Sequence, residues 1–355
     1  WKMVLTTPLL FDILKERNMD TKYAIRKEAL QGFSLIHKSY VTEYFQQNQF
    51  IPDEIKEPIA VVKNKILHGY YMKNVDDKIL IERVFVTCLV PYNMDTKTRM
   101  KVLYQLLLDL DEYANRAFIE LQRQQTKLRK LVFDWLKIHK QAEPNKSEIA
   151  SRSYAIAASL PEQNKAKEFI MKFSNHILKD NEIMACLEAI LSKDISCAKC
   201  TEKIQALLKK TGSASATNFY FSTVKNLLHR IASVTVDREA IEAIVEIVET
   251  KQKGSEIFPL TTLSQVFPVH FQNDLILEDL VDLLKRYTNE PGYKENILKT
   301  FTHLCAYKSL NENFPQINAD LMGICKTLAM EGTPKQCKQA VIFICNNQKE
   351  PSMEV

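Results

Sequence analysis

Cys197 and Cys200 form the only Cys-x-x-Cys pair in the chain, the spacing of a metal or redox site. Structural zinc takes four ligands, usually from two such pairs or from one pair and two histidines. No second pair exists, and Cys186 is the only other thiol nearby. A redox pair would stand in a strand–helix–strand context, whereas these flanks read as helix. The pair is therefore read as cysteines at a helix start. His37, His68, His139, His176, His229, His270 and His303 make no HExxH or paired motif and read as helix-end or core residues. Serine nucleophile elbows and glycine-rich phosphate loops are missing too. The expectation is a protein with no catalytic centre and no metal.

Charge offers more. Lys97, Arg99 and Lys101 follow a helix cap at Asp95. Cations there oppose the helix dipole and ask for a compensating anion. Arg123, Lys127, Lys130 and Lys137 fall on one helical stripe, interrupted by Asp134. Glu239, Glu242, Glu246 and Glu249 form an acidic stripe opposite Ile241, Ile244, Val245 and Val248. A solvated helix face is the plain reading of each stripe. Tyr70, Tyr71, Tyr92 and Tyr104 lie near the cations in sequence, where tyrosine suits a partner groove or an anion pocket. Core packing is the default for at least half of them.

The elements that must position these residues are helices. Apolar residues recur at helical spacing over 20–38, 53–72 and 76–90, then in a helix capped by Asp95 and a long one from Asp111 to His139. Further helices are expected at 146–159, 162–179, 181–192, 196–210, 217–231, 237–250, 273–287, 293–307, 315–329 and 334–347. Pro161 is expected in the first turn of the 162–179 helix. Gly212, Pro259, Pro291, Pro315 and Gly332 read as breakers. Asp20, followed by Ile25 and Arg26, has the form of a HEAT-repeat turn: the acid caps, and the arginine reaches carbonyls or carboxylates of its neighbours. The fold class expected is all-α, an α-solenoid of HEAT-like antiparallel helix pairs. It is divided into residues 1–140, with the long helix, and residues 141–355.

Composition agrees. The 355 residues are 46% hydrophobic and 26% charged, with net charge +5 and only 7 glycines. Mildly basic charge permits contact with phosphates without demanding it. No apolar run approaches the roughly 18 residues of a membrane span, so no membrane partner is expected. Cys88, Cys186, Cys305, Cys325 and Cys345 sit in apolar helical stretches, which points to buried free thiols in cytosol or nucleus. The chain reads as a fragment of a longer protein.

Several segments come in a familiar order: IRKEAL (25–30), KNKILHGYY (63–71), VDDKILIERVF (75–85), VPYNM (90–94), TRMKVLY (98–104), NKAKEFI (164–170) and GTPKQCKQAV (332–341). Together they resemble the central HEAT-repeat region of the precocious-dissociation-of-sisters family of cohesin-associated cohesion proteins. The resemblance runs from about Leu10 to Asn347. It implies a chromosome-associated nuclear scaffold that binds the kleisin subunit of cohesin. It further implies a wings-apart-like release factor and cohesion-protecting or acetylating factors as partners, mainly through parts outside this stretch. By analogy the kleisin groove falls at Tyr92, Tyr104 and Leu108. Inositol hexakisphosphate, bound by a vertebrate member, would be held by Lys63, Lys65, Arg83, Lys97, Arg99 and Lys101, with Arg26 and Lys27. The acidic loop of vertebrate members is reduced here to 250–255, through divergence or missing residues. The family's basic tail is missing, so direct DNA contact is not expected. A transport-receptor-type adaptor is the alternative that shares this architecture.

Overall fold

The computed structural model describes residues 8–47, 53–212, 218–250, 257–286 and 292–348, and no strand occurs among them. The helices are α1 (Pro8–Arg17), α2 (Tyr23–Gln47), α3 (Asp53–His68), α4 (Val75–Val84), α5 (Thr96–Leu108), α6 (Glu112–His139) and α7 (Lys146–Ala157). Then come α8 (Gln163–Lys179), α9 (Asn181–Leu191), α10 (Cys197–Thr211), α11 (Phe219–Ile231), α12 (Arg238–Thr250) and α13 (Phe258–Val266). The last are α14 (Pro268–Phe271), α15 (Asp274–Arg286), α16 (Tyr293–Tyr307), α17 (Leu310–Asn313), α18 (Pro315–Glu331) and α19 (Pro334–Asn347).

Capping residues decide where many of these helices begin. Asp111 accepts from the Ala114 amide at 2.8 Å, Asn145 from Ser147 and Glu148, and Asp180 from Glu182 and Ile183. Thr333 and Gln336 close a reciprocal capping box at α19. Prolines start helices rather than end them, because the first turn needs no N–H from them. Pro259, Pro268, Pro315 and Pro334 all stand there. Pro259 is thus a starter and not the breaker expected of it. Pro161 is the converse case: Glu162 takes a left-handed conformation (φ 48°) and α8 begins only at Gln163. Gly212 ends α10 at φ 124°, where only glycine is at ease.

The helices assemble into two compact units. The first holds residues 1–94 and 109–235, the second 95–108 and 236–355. This division differs from a cut at 140/141, because α6 packs on α3 before it in sequence and on α7, α9 and α11 after it. In the first unit, Leu128, Val132 and Trp135 of α6 share a core with Ile170 and Phe173 of α8, Leu187 of α9 and Leu227 of α11. In the second unit, α5 packs on α12 and α13, α13 on α16, and α19 on α16 and α18. Successive helix pairs of this kind make the protein an α-solenoid of HEAT-like repeats.

Candidate partner-binding surface

In the first unit, the HEAT-like turn is built as its residues dictate. Asp20 Oδ1 accepts from the Lys22 amide at 2.9 Å, and that hydrogen bond holds its carboxyl below the usual range. Arg26 donates to the carbonyls of Asp20 (2.8 Å) and Thr21 (3.0 Å). It also grips Asp77 of α4 with Nε–Oδ1 at 3.1 Å and Nη2–Oδ2 at 2.6 Å. Asp77 is buried, so the fork is a two-point, largely desolvated pair. Arg26 is therefore engaged in tying α2 to α4, contrary to its expected role as a polyphosphate ligand.

Lys63 is corrected in the same way. It is buried on α3 and its Nζ lies 2.5 Å from Asp109 Oδ2. His37 of α2 is buried beside it; burial first, and then the Lys63 charge, push its pKa down to about 4. The remaining expected cations of this unit do face outward: Lys65 and Arg83 are exposed and Lys27 is half-buried.

The end of α4 sets up the most accessible aromatic of the expected groove. Pro91 disfavours helix at Val90, whose φ and ψ are −132° and 79°. The chain widens into a π turn over Phe85–Leu89, with Val90 N donating to Phe85 O at 2.8 Å and Tyr92 N to Val86 O at 2.9 Å. Tyr92 emerges from this anchored turn 42% exposed. Tyr71, after α3, is also exposed. Tyr70 is buried and donates to Glu82 Oε1 at 3.0 Å; burial, then the Glu82 charge, raise its phenol well above the usual range.

Two arginines that the sequence reading passed over hold this unit together. Arg230 of α11 binds Glu82 at two points and donates to the Ser159 carbonyl. Burial lowers its pKa, but the Glu82 carboxylate more than offsets this. Arg129 of α6 donates to the carbonyls of Ile190, Leu191 and Ser192 at the end of α9 and of Ile231 at the end of α11. It caps two helix C-termini at once. Neither carries a local signal, since the partners lie 61 to 148 residues away. His139 reads as expected for a core histidine: its two ring nitrogens lie 2.7 Å from Trp135 O and from Ser174 Oγ.

In the second unit, Arg99 is 4% exposed and Tyr104 1% exposed, both on the buried side of α5. This overturns Arg99 as a surface phosphate ligand and Tyr104 as a kleisin contact. Lys97 and Lys101 are exposed, and Leu108 is half-buried. The compensating anion for Lys97 is Glu246 of the acidic stripe, 3.0 Å away. The rest of that stripe is a solvated face, with Glu242 near Arg238 and Glu249 near Arg286.

Cys197 and Cys200 are buried at the start of α10, where Ser196 caps. Burial raises the Cys200 pKa. Cys88, Cys186, Cys305 and Cys325 are buried as expected, but Cys345 is exposed. Among the described residues, no group of three or more His, Cys, Asp and Glu is arranged to hold a metal ion, and no helix is long and apolar enough to cross a membrane. Residues 251–255, where a reduced loop was expected, lie outside the described residues.

Comparison with known proteins gives this surface its context. The family model "Sister chromatid cohesion protein PDS5 protein" matches residues 1–355. The chain is 31% identical to PDS5 homolog A of Homo sapiens over 358 residues, 96% of this chain and 26% of the relative. It is 32% identical to PDS5 homolog B of Rattus norvegicus, covering 96% and 24%. A solved structure described as the Pds5–Scc1 complex shares the fold, with TM-score 0.64 and 16% identity, over 75% of this chain and 41% of that one. The chain spans about a quarter of the length of these curated relatives. It belongs to the PDS5 family of sister chromatid cohesion proteins.

Proposed function

We propose that this chain is a non-catalytic segment of a cohesin regulator, a nuclear, chromosome-associated scaffold that receives an extended stretch of the kleisin subunit. The family match across residues 1–355 carries this reading. The solved Pds5 relative, whose complex with Scc1 was determined, supports the choice of partner. An anchored, exposed aromatic is the kind of residue that dominates such contacts, and Tyr92 is one. Affinity differences among kleisin, a wings-apart-like release factor and cohesion-protecting or acetylating factors would then shift cohesin between retention and release. The resemblance implies that the last two partners engage mainly regions outside this stretch.

Inositol hexakisphosphate remains part of the proposal as a structural ligand that screens clustered cations. Of the expected cations, Lys27, Lys65 and Arg83 of the first unit are exposed or half-buried and are the residues retained for it. The test is titration of a labelled peptide from the kleisin N-terminal region, with and without inositol hexakisphosphate. Saturable micromolar binding, tightened by the polyphosphate, is the expected result. Absence of binding in both conditions removes the kleisin role from this stretch, and pull-down of transport factors in place of cohesin subunits assigns the alternative adaptor role.

A further inference from the structure

The turn that presents Tyr92 leaves one acceptor open. In a regular helix the Thr87 carbonyl would take the N–H of residue 91. That residue is Pro91, which has none. In the wider π register the carbonyl would take the N–H of residue 92. The Tyr92 N–H is spent on Val86 O at 2.9 Å, and the Val90 N–H on Phe85 O at 2.8 Å. Met94 N then bonds Pro91 O at 3.2 Å, which closes the turn without returning to Thr87. Among the described residues, no main-chain N–H reaches the Thr87 carbonyl. The Thr87 hydroxyl is turned back along the helix and donates to Arg83 O at 2.8 Å. The surroundings face solvent: Val86 and Thr87 are half-buried, and Arg83, Tyr92 and Asn93 are exposed. Helix carbonyls point toward the C-terminal end, so this one opens at the end from which Tyr92 emerges.

We infer that the Thr87 carbonyl accepts a main-chain N–H from the extended kleisin segment that packs on Tyr92. This rests on the kleisin reading above and adds a main-chain point of attachment to it. Once a partner covers Tyr92 and excludes water, an unanswered carbonyl is penalised, so the partner must bring a donor. A cationic side chain is the other donor suited to a helix C-terminus. Arg83 stands four residues before Thr87 on the same helix face and repels it. A neutral amide meets no such repulsion, and an extended segment carries one at every residue other than proline. Pro91 is therefore a positioning residue in two senses. It shapes the turn, and it withholds the N–H that would close the acceptor.

The test is a double-mutant cycle between peptide and protein. Each main-chain N–H of the labelled kleisin peptide is replaced in turn by an ester oxygen, which removes the donor and keeps the side chains. Against the 355-residue chain, one position should weaken binding about threefold to tenfold. Against Pro91→Ala, whose new N–H can close on Thr87, the same ester should change affinity by less than about twofold. Equal losses on both chains at every position would overturn the inference. So would a loss that appears only when a lysine or arginine of the peptide is replaced. If Pro91→Ala melts lower than the parent, amide exchange of the peptide bound to the parent chain reads the same bond. One peptide N–H should then exchange at least about tenfold more slowly than its neighbours, and uniform exchange would overturn the inference. Failure of the unmodified peptide to bind removes the kleisin reading and this inference with it, whereas binding without such a position removes this inference alone.

Discussion

Arg230 and Glu82 meet across 148 residues of sequence in a two-point pair, Nε–Oε2 and Nη2–Oε1 both 2.7 Å. Tyr70 adds a third hydrogen bond to the same carboxylate. Removing one member of such a buried pair strands the other, at a cost of about 3–5 kcal/mol. Glu82→Ala should lower stability by that amount in urea unfolding. Arg230→Met combined with Glu82→Leu should recover much of it. Equal losses in single and double variants would show that shape, rather than the stranded charge, sets the cost.

His37 gives the first unit a pH dependence. Its pKa is about 4 in the folded chain against the ordinary 6.5, through burial and the facing Lys63. Between those values the unfolded chain binds more protons, so stability is complete above pH 6.5 and is lost as pH falls toward 4. At about 1.4 kcal/mol per pKa unit the full loss approaches about 3 kcal/mol. His37→Gln should flatten the stability profile over this window relative to the parent. Parallel profiles for the two proteins would exclude His37 as the source.

Tyr92 and Tyr104, both candidates for the expected groove, should separate completely. Tyr104→Ala empties a fully buried site and should cost about 3–5 kcal/mol of stability. Tyr92→Ala should leave stability within about 0.5 kcal/mol. It should weaken kleisin-peptide binding about tenfold or more. Calorimetric melting and the peptide titration read both. A Tyr92→Ala chain that binds the peptide like the parent would remove the tyrosine from the contact.

Arg129→Lys keeps the charge and loses the fork that reaches carbonyls of both α9 and α11. Buried carbonyls left without donors cost about 1–3 kcal/mol each. A loss of at least about 2 kcal/mol in urea unfolding is expected, with amide exchange rising first at the C-terminal turns of α9 and α11. Wild-type protection at those turns would mean that another donor caps them.

Helical periodicity carried most of the fold. The 111–139 helix is observed as α6 over Glu112–His139, with Asp111 as its cap. The helices missed were α1, α13 and the four-residue α14 and α17. Two of these are shorter than any period can reveal, and Pro259 disguised α13 as a break. The HEAT-like turn at Asp20 and Arg26 was legible because cap and arginine are local. The site was less so. Lys63, Arg99 and Tyr104 look like surface chemistry in sequence, and only packing reveals that they face inward. Arg129 and Arg230 act through contacts too distant in sequence for any motif to register.

The placement of α5 has a consequence for how this chain is made. Residues 95–108 belong with 236–355, yet they leave the ribosome before residues 109–235. Met100, Leu103 and Leu107, buried in the finished protein, must wait for α12 while more than a hundred further residues are translated. At about 5–20 residues per second the wait is on the order of ten seconds, long enough for exposed apolar surface to misassemble. A nascent chain stalled between 108 and 236 is therefore the form of this protein most in need of a chaperone. Splitting the gene at 235/236 yields two products, one carrying a helix it cannot bury and the other lacking a helix it needs.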